Sequence, residues 1–243
     1  MRIQLVSDQD TLTLTDDRLD RMGDAWIRKD GVDGLYGATK PHETGQAIPQ
    51  QDGSYWPIRL TAESRTVTIR CVTSTQSTLA LSVLVDRINA MACRPLTLVV
   101  DDASGRRELS GWLADDPAQS MLASLRSMTF SLIIYCPDPL KYGPRIWFEA
   151  THALARVENA GNAPTWPSVR AEGAQTLTLT LDGHTVRWRG DGGRLDLDFT
   201  DMVPSQGVIE YDDAFRIPPG ISDISVQAQN GGQVGVSLRP AWR

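Results

Sequence analysis

The chain has 243 residues, 41% of them hydrophobic and 22% charged, enough for one large domain or two ordinary ones. Its net charge of −6 argues against a general grip on nucleic acid, which needs a concentrated basic face; Arg106-Arg107 and the pair Arg187 and Arg189 stand among acids. No apolar run approaches the roughly 20 residues that cross a bilayer, and Met1 to Asp8 holds no long apolar segment, so neither a membrane partner nor a signal peptide is expected.

Residues 2–6 and 11–15 alternate polar and apolar side chains around the turn-forming Ser7 to Asp10, which predicts an opening hairpin. Asp16 to Asp24 is charged and of weak helical or loop character. Ala25 to Arg28 reads as a strand leading into turns at Gly31 and Gly34. Residues 36–54 are polar, hold two prolines and three glycines, and show no period. Loops beyond about 15 residues are uncommon in compact domains, and two readings stand here: an arm across a neighbouring subunit, or a loose excursion.

Tyr55 to Leu60 and Arg65 to Thr73 follow, the second a half-buried strand. In the second, Val67, Ile69 and Cys71 share one face. Ser77 to Cys93 is the one strong helix. Ser77 or Thr78 caps it, Leu81, Leu84, Val85, Ile88 and Met91 form its apolar stripe, and Pro95 ends it. Leu96 to Val100 and Arg107 to Ala114 make a hairpin around Asp101 to Gly105. Met121 to Tyr135, with Leu122, Leu125, Met128, Phe130 and Leu132, starts ambiguously and ends as a strand.

Residues 130–144 (FSLIIYCPDPLKYGP) divide the chain. The strand runs into Pro137, Pro139 and Pro144, which lack backbone donors and hold their neighbours extended. Beyond them helix signals vanish. Arg145 to Arg156 has mixed apolar character. Then come short strands at Ser168 to Glu172, Thr176 to Leu181, Thr185 to Arg189, Arg194 to Phe199, Gly207 to Tyr211, Asp223 to Gln227 and Gln233 to Pro240. Asp182-Gly183, Asp191-Gly192-Gly193 and Asn230-Gly231-Gly232 supply turns. Regular short strands predict a sandwich. The expected class is mainly β: an α+β domain at 1–143, with antiparallel strands and one helix, then a β-sandwich at 144–243.

Catalytic, cofactor and metal residues are all expected to be absent. His42, His152 and His184 stand apart, and no phosphate-cradling glycine loop or Gly-x-Ser-x-Gly occurs. Cys71, Cys93 and Cys136 are odd in number and widely spaced, with no zinc pattern; buried free thiols are expected. Asp196 and Asp198 alternate with Leu195 and Leu197, so they face outward, and Asp212-Asp213 falls in a turn. Paired acids on a sandwich allow an alternative, a carbohydrate-binding or carbohydrate-cleaving module, with Trp166, Trp188 and Trp242 as sugar platforms. The plainer reading makes those acids solvated surface and those rings packing.

One motif set points further. A strand ending in an aromatic runs into Cys136-Pro137-Asp138-Pro139 and then Lys141-Tyr142-Gly143. Asn159, Gly161 and Pro167 open the second domain, Ile217, Pro219, Gly220 and Ile224 mark a late turn, and the chain closes on Arg239-Pro240-Ala241-Trp242-Arg243. In this order, over residues 55–243, the chain resembles the distal tail proteins of phages with long, non-contractile tails. The resemblance implies a structural virion protein, not an enzyme, made in the host cytoplasm. Its first domain would form a ring, commonly a hexamer, and its second would be a galectin-like sandwich on the outside. The implied partners are further copies of the chain, the tail tube protein, the tail-tip or baseplate hub protein, the tape measure protein and host surface glycans, with DNA only passing through the lumen. Free strand edges and the 36–54 loop are expected to serve ring closure, together with helix 77–93 and the connector 136–144.

Overall fold

The structure, a computed structural model, describes residues 1–20, 23–43, 45–122, 126–229 and 232–243. Leu125 and the first two residues of the Asn230-Gly231-Gly232 turn lie outside them. Two compact units result, Met1–Lys141 with Arg243, and Tyr142–Trp242. No helix among the described residues is long and apolar enough to cross a membrane.

The first unit begins with the expected hairpin of β1 (Arg2–Val6) and β2 (Thr11–Thr15). β3 (Ala25–Asp33) runs longer than expected, because its register with β4 (Arg65–Ser74) slips between Ile27 and Val32. Its pairing with β2 is parallel and two residues long. Helix α1 (Thr78–Ala90) starts where Ser77 Oγ accepts the Ala80 amide at 3.1 Å. It buries Leu81, Leu84 and Ile88. Arg87 fixes it from the side, pairing with Asp10 at 2.6 Å and with Asp24 at 2.5 Å. β5 (Leu96–Asp102) and β6 (Gly105–Leu113) form the next hairpin. β7 (Ser120–Met121) and β8 (Ser127–Cys136) flank the ambiguous start of the 121–135 stretch, part of which lies outside the described residues, and β8 confirms its end as strand. Residues 55–60, which hold Pro57, stay irregular.

The sheet runs β6-β5-β1-β2-β3-β4-β8 and returns to β6 through Trp112–Tyr135 and Leu113–Ile134. It is therefore a closed barrel, mostly antiparallel. Closure takes up strand edges that the sequence offered as pairing surfaces for a ring, so edge pairing is the weaker basis for assembly. One core, from Ile3 and Leu14 to Phe130 and Ile134, fills the unit.

β9 (Lys141–Tyr142) lies at the junction of the units. The second unit is a sandwich. One sheet has the order β10 (Ile146–Glu149), β18 (Gln233–Leu238), β12 (Ser168–Glu172), β15 (Arg194–Asp198). The other runs β11 (Leu154–Asn159), β17 (Gly220–Gln229), β13 (Thr176–Leu181), β14 (His184–Arg189), β16 (Val208–Asp212). β19 (Ala241–Trp242) closes the chain. The alternating residues Leu177, Leu179, Leu181, Leu195 and Leu197 point into a shared core with Trp188 and Phe199. At the tip of β13 and β14, Asp182 and Gly183 both take positive φ, 49° and 88°, as a type I′ turn requires.

Candidate assembly surface

The carboxylates that suggested sugar chemistry are held as ion pairs. Arg170 Nε lies 2.8 Å from Asp196 Oδ1, and Arg194 Nε lies 2.9 Å from Asp196 Oδ2. Burial pushes the Asp196 carboxyl up, but the hydrogen bonds from Arg170 and Arg194 outweigh it and hold the group below its ordinary value. Asp198 behaves alike: burial is outweighed by hydrogen bonds from Thr200 and Ser168 and by the charge of Arg145. A carboxyl depressed in this way stays ionised and cannot serve as a proton donor near neutral pH. Asp213 faces His184 across 3.1 Å on the exposed surface. No group of three or more metal-ligating side chains occurs among the described residues.

The tryptophans proposed as sugar platforms are engaged in packing. Trp188 is fully buried and donates Nε1 to Gln206 O at 2.7 Å. Trp166 lies under the Arg216 guanidinium at 4.4 Å, and Trp242 packs on Gly143. Cys71 and Cys136 are buried, and burial raises their thiols to about 12 and about 11. Cys93, expected to be buried, is exposed, because it lies past the end of α1 with φ at 60°.

The motif residues carry structure. Asn159 is buried; its Nδ2 donates to Ala163 O at 2.8 Å and to Ile217 O at 3.2 Å, while Oδ1 accepts the Gly161 amide at 3.0 Å. One side chain thus ties the opening motif of the sandwich to its late turn. In the connector, Asp138 Oδ1 accepts the Leu140 amide at 3.0 Å. Arg65 Nε donates to Pro139 O at 2.8 Å, and its Nη1 reaches Gly34 O at 2.6 Å and Gly37 O at 2.9 Å. Lys141 Nζ donates to Leu35 O at 3.0 Å. Two buried cations therefore bolt the proline-rich connector to residues 34–37, the root of the long loop. Sequence reasoning missed both: each looks like an ordinary surface charge beside apolar neighbours.

The loop is an arm. Its two plies are joined by Glu63 N to Lys40 O (2.9 Å), His42 N to Thr61 O (2.8 Å) and Tyr55 N to Gln46 O (2.8 Å), with bridges at Pro41–Ala62 and Ala47–Ser54. Between the hydrogen bonds at Tyr55 and Thr61, residues 56–60 of the returning ply form no ladder pairs and bend at Ile58 and Arg59, which makes a bulge. Trp56, Ile58 and Leu60 sit on that bulge, exposed. Leu79 and Val83, on the outer face of α1, are exposed as well.

No family model matches the chain. The distal tail protein of Bacillus phage SPP1 is 42% identical over 60 residues, covering 23% of this chain. The chain matches about a quarter of that relative's length, 24%. Among solved structures, the fold is similar to that of the SPP1 Dit (gp 19.1) protein, described as a paradigm of the hub adsorption apparatus in phages infecting Gram-positive bacteria. The TM-score is 0.69 at 17% identity, covering 99% of both chains. It is also similar to a chain of the phage P2 baseplate in its activated conformation with Ca, with TM-score 0.58 at 7% identity, 98% of this chain and 97% of that one. The phage p2 baseplate with Sr gives 0.55 at 8% identity, with 97% of each chain covered. At these identities the likeness to the solved structures is one of fold. The chain thus resembles distal tail proteins in sequence over one 60-residue stretch and in fold over nearly its whole length.

Proposed function

We propose that the chain is a structural virion protein, the distal tail hub that joins a phage tail tube to its tip or baseplate. The observation that carries this reading is the end-to-end fold likeness to the SPP1 hub protein, supported by local sequence identity to a distal tail protein. The first unit, 1–143 in the sequence reading, builds a homo-oligomeric ring of six, and the sandwich decorates it. Neighbours in the tail are the tube protein, the tape measure protein and the tip hub protein. DNA passes through the lumen as cargo, and the acidic balance of −6 suits a wall along which a polyanion slides. The role is architectural; the Asp196 carboxylate of the sandwich is held in ion pairs with Arg170 and Arg194.

Negative-stain microscopy of the purified chain, with mass by light scattering, tests this. Rings with a central hole and a mass about six times the 26.7 kDa chain are expected. A strict monomer at high concentration, over a range of salt and in the presence of the tail tube protein, would overturn it.

A further inference from the structure

The arm presents its apolar residues where nothing among the described residues covers them. Trp56 is 87% exposed and Ile58 108%, flanked by Tyr55 and Leu60. A single exposed apolar side chain needs no explanation, but four within six residues form a continuous patch of the kind that marks an interaction site. Pro57 restricts the backbone of this bulge, which lowers the entropy lost on docking.

A second uncovered apolar surface lies in the same unit. Leu79 is 75% exposed and Val83 52%. Four residues apart, they form one stripe on the outer face of α1, opposite the buried Leu81, Leu84 and Ile88. Asp86 continues the stripe one turn on, and Arg59 stands between the arm's exposed apolar residues. Both are exposed, and neither has an ion-pair partner among the described residues. An apolar patch with one free cation thus has a counterpart in an apolar stripe with one free anion.

The two surfaces are carried on segments attached at opposite ends of β4. The arm joins it at Arg65, and α1 follows its other end at Ser74. Ten residues of strand separate these ends by roughly 30 Å. Complementary patches set apart on one chain favour head-to-tail association, which closes into a ring when the rotation permits. We propose that the arm bulge, residues 55–60, docks on the outer face of α1 (Leu79, Val83 and Asp86) in a second copy of this chain. The contact rests on the ring reading and names the residues that make it. Trp56 and Ile58 anchor it, and Arg59 meets Asp86 at its rim.

The test uses the full chain. The double variant Trp56→Ser, Ile58→Ser is expected to weaken self-association by about tenfold or more. Arg59→Asp alone and Asp86→Arg alone each weaken it, and the two together in one chain restore it, a rescue that a merely structural effect would not give. All four positions are exposed, so the thermal melting of each variant is expected to match the parent, and circular dichroism checks it. Rings from the parent and equally from the double variant would overturn the contact and leave the ring reading standing. Intact rings that instead lose binding of a separate tail protein would assign the arm to that partner and overturn the second-copy docking. A parent that never self-associates, with substitutions that change nothing, would overturn both.

Discussion

Lys141 is a cation 4% exposed to water, and its amine donates to a carbonyl, Leu35 O. Burial first, and then the charges of Arg65 and Arg107, lower its amine from the ordinary 10.5 to about 8. Between pH 8 and 10.5 the unfolded chain therefore binds more protons than the folded one, and this group makes stability rise with pH across that window. The buried thiols act in the opposite sense. Cys136 and Cys71 keep their protons to about 11 and about 12, so their contribution falls as pH rises past 9. Subtracting a Lys141→Met variant separates the two. Urea unfolding of both proteins from pH 7 to 10 should show the parent gaining stability relative to the variant above pH 8. A difference that stays flat with pH would mean that water reaches the amine. The same cation fixes the root of the arm, so the arm's position depends on a residue 106 positions distant in the chain.

At the scale of elements, barrel closure depends on one glycine. Gly111 pairs with Leu96 of β5, and a Cβ added to it would run into the carbonyl of Tyr135 on β8, far inside van der Waals contact. The next residue, Trp112, pairs with Tyr135, and their rings meet at 5.1 Å, tilted by 43°. Backbone cannot yield as a flexible side chain can, so Gly111→Ala should cost about 1–3 kcal/mol and should do so by opening the β6–β8 seam. Hydrogen exchange checks this: the amide of Ala114, which donates to Ile133 O at 2.8 Å, should lose protection before those of β13 and β14, and an unchanged seam would refute it. The seam also shows what a sequence can carry. Strands such as β13 and β15 were legible because one face is buried, which forces strict alternation in Leu177, Leu179, Leu181 and in Leu195, Leu197. The β6–β8 pairing leaves no such mark, since it is a register between strands that each already alternate. The arm was legible only as an absence of period. Its bulge lies on the returning ply, where Tyr55 to Leu60 around Pro57 form no ladder and so carry no strand period. Arg65 and Lys141 were missed because a buried cation bonded to carbonyls has no local signature.

At the scale of the molecule, the chain builds two hydrophobic cores with no residue in common, one from Ile3 to Cys136 and the other from Ala155 to Leu238. Cooperativity in unfolding follows shared burial, and multi-domain chains depart from a single transition for that reason. Calorimetry of the full chain should resolve two transitions. Leu81→Ala removes a fully buried side chain from the first core and Leu197→Ala a buried one from the second. Each should cost about 2–5 kcal/mol and lower only its own transition. A single transition lowered by both substitutions would show that the cores unfold as one. Two independent transitions would mean that the chain divides its work. The barrel with its arm and exposed helix face could then change at its surface without loss of the sandwich core, and the sandwich could change on its outer strands without loosening the barrel.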